Sequence, residues 1–456
     1  MLGIKAPFKT FLTVLVVDLL ATSGDISATW TSPMYPQLYS NDTSVNPLGR
    51  PITSEEDSWL GSIMNIGAVI GALPMGFLAD KIGRKFTLLV IAVPHIIAYL
   101  LFAFAKNINV FYIGRLINGF SEGAGYAILP MYVAEVTEDS NRAAFSVSLN
   151  IFWTLGNFIP YALGPYLPIR TFNLILACIP LTFFVCFLSI APETPHYLVQ
   201  IGEYSKAELV IMDLRHCGKK EAEKEVEHLK EIINWKDHDG NLLDIIKNRK
   251  LRKALVISLV LIILQQLSGI NAVTFYLEPI FQASGSSLSA SVSSTICGAC
   301  MFAFSFITIF IVQRTGKKWP LAISCLGDCL SLMMLGEFFY VKEEKNMNTH
   351  SISWIPIAGL ISYIFFFNLA LAPIPWTLSS ELFPNKVKSV SSSSVAGASW
   401  LFSFFITKFF NLLTKTLGKA GTFWLYSGFC LFAVLFDIIW VPETTGKTFG
   451  EIQAML

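Results

Sequence analysis

"GFLADKIGRK", residues 76–85, sets Asp80, Lys81, Arg84 and Lys85 between two stretches that carry no charge, 59–79 and 86–105. An apolar stretch of about 20 residues is long enough to cross roughly 30 Å of hydrocarbon as a helix. Four charges in ten residues therefore mark a turn at a water–membrane boundary, with a spanning helix on either side. Gly83 suits the turn because glycine takes positive φ without steric cost.

Working outward, the same alternation runs the length of the chain. The 456 residues are 53% hydrophobic and 14% charged, far below the roughly 25% charge of soluble domains. Twelve spans are expected, near 11–31, 58–79, 86–105, 110–133, 145–167, 172–191, 254–278, 291–312, 319–341, 352–378, 389–413 and 420–441. Each must be a helix, because lipid offers the backbone no hydrogen bonds. The fold class is all-α, a polytopic membrane protein. The first span follows only Lys5 and Lys9 and lacks a small-residue cleavage site, so it reads as a spanning helix.

Of the 33 lysines and arginines, 24 lie in segments on the same side as both termini. Positive segments stay in the cytosol, so both ends are expected there, in an integral protein of the plasma membrane. The opposite loop, 32–57, carries the N-glycosylation sequon "NDT" at Asn41, which agrees. The turn at 76–85 then faces the cytosol.

Composition also excludes. A net charge of +1 makes no case for a nucleic-acid partner. Seven of the eight cysteines sit in apolar stretches without metal-ligand spacing. There is no phosphate loop and no Ser/His/Asp arrangement, and His95, His196 and His350 are scattered singly. No enzyme, cofactor or metal is expected.

The opening turn has a partner. Gly83-Arg84-Lys85 corresponds to Gly316-Lys317-Lys318 in "VQRTGKKW", 312–319. Glu135 precedes Arg142 by seven residues, and Glu381 precedes Lys388 by seven. "PETP" at 192–195 is echoed by "PETT" at 442–445. Three pairs in the same order define two homologous halves, related by an axis along the membrane normal. The expected domains are a six-helix half at 1–194, a cytoplasmic linker of short amphipathic helices at 195–250, and a second six-helix half at 251–456.

Physically, carboxylates and cations at the cytosolic helix ends can pair across the inner face when that side is closed and must part when it opens. That is a conformational latch between states a few kcal/mol apart. Simple topological anchoring is the alternative.

These motifs resemble the major facilitator superfamily. "GRLINGFSEGAGYAILPMYVAEV" (114–136), "PETPHYL" (192–198), "QQLSGINAVTFY" (265–276), "PIPWTLSSELFP" (373–384) and "PETTGKTFGEI" (442–452) are together similar to its sugar porter family. "WTSPMYPQL" (30–38) resembles the branch of facilitated trehalose transporters. The resemblance implies the major facilitator fold, alternating access and one central site for a small neutral sugar. It carries sugar-binding roles to Gln265, Gln266, Asn271, Trp376 and Asn150. It carries latch roles to Asp80, Arg84, Glu135 and Arg142 in the first half, and to Lys317, Glu381 and Lys388 in the second.

The residues themselves point the same way. Two adjacent glutamines and a nearby asparagine on an apolar span are expensive unless they face partners or a cavity. Amides both donate and accept, which suits neutral hydroxyls. Interhelical amide bonding is the alternative. Pro373 and Pro375 remove backbone bonds and make a hinge in the tenth span.

Against the family pattern, Gln313 replaces an acid in the second turn, Met301 and Asn368 replace polar or acidic residues, and Ser399 and Ser403 flank Trp400 where asparagine is frequent. Fewer long amides then reach the second half of the cavity. Proton-coupled relatives carry an acid on the first span where this chain has Ser27, while Asp25 sits two residues earlier. A facilitative trehalose or hexose carrier is the leading expectation. The alternatives are a proton-coupled symporter using Asp25, a sugar sensor, and a porter of another organic solute.

Overall fold

The computed structural model describes residues 7–235, 247–285, 288–345, 349–383 and 385–445, and positions 245, 347, 447, 451 and 455. Within helices, the side chains at 139–140, 143, 232, 234–235, 307–315, 385–386 and 388–390 lie outside that description. The latch candidate Lys388 and the departure at Gln313 therefore lie outside the described residues.

Nearly everything described is helix. The first six spans are Phe8–Thr29, Ser54–Ile82, Arg84–Phe104, Ile108–Val136, Asp139–Leu163 and Ile169–Ile190. The next six begin with a broken seventh, Arg249–Leu267, Ile270–Phe275 and Leu277–Ser284. They continue with Ala290–Thr315, Lys318–Phe339 and a tenth in three parts, Ile355–Phe366, Phe367–Leu371 and Ile374–Glu381. The eleventh and twelfth run together as Asn385–Trp440, parted at Gly418, where φ is 71°.

By length and composition, eight described helical stretches can cross a membrane, and one of these, Ser391–Trp440, holds two spans. Ile108–Val136 and Asp139–Leu163 are also long enough, but polar residues dilute their apolar character, while Ala290–Phe306, the part of the eighth span whose side chains are described, is apolar. All twelve expected spans are present. The linker forms Pro195–Gln200, Tyr204–Arg215 and Lys219–Trp235, whose inward faces share Leu198, Ala207, Ile211, Ala222 and Val226.

Packing divides the chain into two compact units. One comprises Met1–Ser27, Ile66–Gly156 and Arg170–Asp239; the other comprises Ala28–Asn65, Asn157–Ile169 and Gly240–Leu456. The first is built on Val17, Leu20, Leu88, Ile91, Ile128, Tyr132, Phe183 and Phe187. In the second, the ninth span packs on the tenth and on the joined eleventh and twelfth. In lipid such faces are held by close contact and interhelical hydrogen bonds rather than by transfer from water.

Both turn glycines adopt the conformation their sequence context predicts, with φ 94° at Gly83 and 79° at Gly316. Each also lies against an acid. A Cβ at Gly83 would strike the Glu193 carboxylate, and one at Gly316 would strike that of Glu443. The repeat thus extends from sequence into turn geometry.

Candidate functional site

The seventh span is interrupted where the amides cluster. Gly269, with φ 87°, ends the helix that carries Gln265 and Gln266 and starts the short one that carries Asn271. Gln265 is buried and donates its amide to the carbonyls of Leu371 (2.6 Å) and Ala372 (2.9 Å). Gln266, also buried, donates to Ser399 Oγ (2.9 Å) and to Gln265 Oε1 (3.5 Å). Its own Oε1 accepts from Asn271 Nδ2 at 2.5 Å.

Most donors of this array are therefore engaged, and what it holds in reserve is chiefly acceptor: the remaining lone pairs on Gln265 Oε1 and Gln266 Oε1, and Asn271 Oδ1. Such an array favours ligands that donate, as hydroxyls do. Ser399, read as a departure that thins the site, is the hydroxyl on which Gln266 is oriented.

Trp376 lies on Ile374–Glu381 with 37% of its surface exposed, and that helix packs on the one carrying Gln265 and Gln266. Asn150 belongs to the other compact unit, exposed on the fifth span, with its carbonyl accepting from Thr154. The tenth span unwinds just before this helix: Phe367–Leu371 is a π-type turn, followed by Pro373 and Pro375. The expected hinge is a true irregularity of the backbone. Asn368 donates to Ile364 O (2.8 Å), and Met301 is half-buried.

Ion pairs form at the charged turns. Arg84 reaches Asp80 (3.1 Å) and Glu135 (3.1 Å), with its guanidinium over the Tyr197 ring. Lys317 pairs with Glu381. Arg142 donates from Nε to Ala134 O (3.2 Å). Two partners escaped the sequence reading, which took the PET repeat only as a marker. Thr194 donates to Glu135 (2.7 Å), and Thr444 donates to Glu381 (2.8 Å). Glu193 accepts from the amides of Arg84 (3.0 Å) and Lys85 (3.2 Å), while Glu443 accepts from those of Lys317 (3.2 Å) and Lys318 (3.1 Å). The signal was available: an acid and a hydroxyl recurring after the last helix of each half.

The two acids differ in charge stability. Burial pushes the Glu193 carboxyl above its ordinary value, and the surrounding amides and Arg84 only partly restrain it. Burial also opposes the charge on Glu443, but the amides of Thr445, Lys318 and Lys317 and the Thr445 hydroxyl outweigh it and hold that carboxyl below its ordinary value.

Asp25 is buried and accepts from Tyr126 Oη at 2.7 Å. Arg115 is buried on the same fourth span, with Nη1 donating to Ser27 O at 2.5 Å. Glu122, also on the fourth span, is buried near both, and its Oε2 has no hydrogen-bond partner among the described residues. Asn41 is exposed at a bend in the loop that follows Thr31–Leu38. Among the described residues no group of three or more His, Cys, Asp or Glu could hold a metal ion.

Twelve spans, a repeated charged turn and an amide array at paired helix breaks define a membrane carrier. The chain belongs to the sugar (and other) transporter family, whose model matches residues 24–456. It is 34% identical over 457 residues to the facilitated trehalose transporter Tret1 of Culex quinquefasciatus, covering 98% of this chain and 86% of that one. It is likewise 34% identical to sugar transporter ERD6-like 6 of Arabidopsis thaliana, covering 89% and 83%. Other relatives are longer: the chain spans 47% of the Drosophila willistoni Tret1. Its fold is that of the inward-open xylose transporter XylE from E. coli, with a TM-score of 0.80 at 21% identity, covering 98% of this chain and 99% of that one.

Proposed function

We propose that this protein is a facilitative carrier of a small neutral sugar, trehalose or a hexose, working by alternating access in the plasma membrane. The observation that carries the reading is the acceptor-rich array of Gln265, Gln266 and Asn271, with the partly exposed Trp376 on a helix that packs on the one carrying the two glutamines. Acceptors suit sugar hydroxyls and an indole face suits sugar C–H groups, while neither favours an anion. The family resemblance adds a sugar-binding role for Asn150. The likeness to facilitated trehalose transporters supports the substrate class.

Both termini and the turns at Gly83 and Gly316 are cytosolic in this reading. The pairs Arg84–Asp80, Arg84–Glu135 and Lys317–Glu381, with Arg142 and Lys388, form the inner latch. The functional division is 1–194, 195–250 and 251–456, and Asn41 carries a glycan. The buried Asp25–Tyr126 pair favours a second reading, proton-coupled uptake.

Uptake of radiolabelled trehalose and glucose, with and without a proton uncoupler, tests both. Saturable uptake that survives the uncoupler and is lost in Asn271→Ala and Trp376→Ala supports the facilitator. Uptake abolished by the uncoupler transfers the cycle to Asp25. No flux of either sugar at normal surface expression overturns the carrier reading.

A further inference from the structure

Asp328 stands midway along the ninth span, fully buried, and neither of its carboxylate oxygens has a hydrogen-bond partner among the described residues. An ionised carboxylate so placed costs several kcal/mol, and ionisable groups inside a membrane mark function.

Its surroundings connect it to the amide array. Within electrostatic reach of it lie Tyr363 on the tenth span, Cys430 on the twelfth and Cys325 on its own span. Behind these stand Asp437, which accepts from Cys325 Sγ (3.3 Å), Cys329 and Tyr426. The Tyr426 hydroxyl has no hydrogen-bond partner among the described residues, and its ring lies against Gly269, where the seventh span breaks. Tyr363 Oη donates to Ser268 O (3.1 Å) and lies 3.3 Å from Ser268 Oγ, which in turn donates to Gln265 O (2.7 Å). A polar chain therefore runs from Tyr363 through Ser268 to Gln265, with Asp328 close enough to act electrostatically on its Tyr363 end.

The repeat marks the same position in the other half. Asp328 lies twelve residues beyond Gly316, and His95 twelve beyond Gly83. His95 is buried and meets Asn118 of the fourth span, Nδ1 to Oδ1, at 2.5 Å. The first half thus gives its titratable group a partner, and the second leaves its acid without one.

We propose that Asp328 is a proton-binding site that gates the break in the seventh span. While Asp328 holds its proton, Tyr363 remains on Ser268 and the break keeps the geometry that orients Gln265 and Gln266. When the proton leaves to the aqueous phase, the carboxylate draws the Tyr363 hydroxyl from Ser268, and the array loses its support. Tyr363 is the positioning residue of this gate. The proposal rests on the sugar-carrier reading for its transport readout alone.

The test uses the full chain in liposomes at equal pH on both faces, with counterflow of labelled glucose and trehalose followed across a pH series. Infrared difference spectra of the same samples read the carbonyl stretch of a protonated carboxylic acid. Wild-type flux should fall with rising pH, approaching about tenfold per unit for a single proton. Asp328→Asn, permanently neutral, should keep the acid-limb flux throughout, and Tyr363→Phe should flatten the profile. The component of the protonated-acid band that titrates together with flux should be lost in Asp328→Asn. Unchanged pH profiles in both variants, or a band identical to wild type in Asp328→Asn, overturn the proposal. If Asp328→Asn fails to fold, the Tyr363→Phe profile decides. If no sugar moves at any pH, the carrier reading fails, and the infrared band still tests the proton site.

Discussion

Gln265 of the seventh span donates its amide hydrogens to two main-chain carbonyls of the tenth, Leu371 at 2.6 Å and Ala372 at 2.9 Å. Pro375 has no N–H to give to the Leu371 carbonyl four residues before it, so a side chain from another helix fills the gap. The glutamine thereby ties the break in one span to the break in the other.

Removing that tie should act on the protein without sugar as well as with it. In Gln265→Ala the buried Leu371 carbonyl loses a donor, at about 1–3 kcal/mol, and the partly buried Ala372 carbonyl loses one at a smaller cost. Gln265→Glu should be as damaging, because a carboxylate donates nothing. Both variants are expected to melt below wild type in detergent without sugar and to lose turnover. A pure rise in KM with an unchanged apo melting temperature would show that Gln265 only touches substrate.

Ser403 presents a different case. Its hydroxyl donates to Asn65 Oδ1 (2.8 Å), and Asn65 Nδ2 donates to Thr407 Oγ1 (3.1 Å). Nearby, Lys408 lies 4.0 Å from the Trp59 ring centroid and donates to Ser58 Oγ (3.1 Å). The second and eleventh spans are thus clasped by polar contacts along one stretch. Interhelical hydrogen bonds in membranes average about 0.6 kcal/mol. Asn65→Ala and Ser403→Ala should each destabilise by about that much, and the double variant by less than their sum. Full additivity in a melting cycle would dissolve the clasp.

Such contacts mark the limit of sequence reading. Spans, turns and repeat were legible because hydropathy, glycine and charge are local signals, and Gly83 and Gly316 carry all three. Asn65 and Ser403 lie 338 residues apart, and nothing in either neighbourhood names the other. Ser399 and Ser403 therefore looked like losses from the sugar site, although each hydroxyl orients an amide. The amides at 265, 266 and 271 were legible as an expensive cluster, but not which atoms their neighbours would occupy. Of the buried acids, Asp25 drew notice through its place in the family pattern. Glu122 and Asp328 passed unread, although an acid inside an apolar run is signal enough.

Arg84 and Lys317 occupy equivalent turns with unequal reach. The guanidinium touches Asp80, Glu135 and Gln200 Oε1 (3.3 Å) at once, whereas the Lys317 ammonium pairs with Glu381. A planar fork cannot be replaced by a point charge without losing contacts. Arg84→Lys should slow transport about five- to thirtyfold, equivalent to 1–2 kcal/mol, while Lys317→Arg should stay near wild type. Counterflow rates check the order; equal losses in the two variants would count against an asymmetric latch.

The paired acids Glu193 and Glu443 should respond to pH in opposite directions. Burial raises the Glu193 carboxyl in the folded protein, so its contribution is fully present below the ordinary value of 4.5 and is lost as pH rises through the folded value. For Glu443 the amides prevail over burial and lower the carboxyl, so its contribution is present above 4.5 and is lost as pH falls through the folded value. Glu193→Gln should therefore change the melting temperature little at neutral pH and compare least well with wild type in acid. Glu443→Gln should cost about 1–2 kcal/mol at neutral pH, where a charged acceptor is lost from the Lys317 and Lys318 amides. That deficit should shrink as wild type is acidified below 4.5. Melting curves between pH 4 and pH 8 decide the matter: parallel profiles for the two variants would mean that the repeated turns are electrostatically alike.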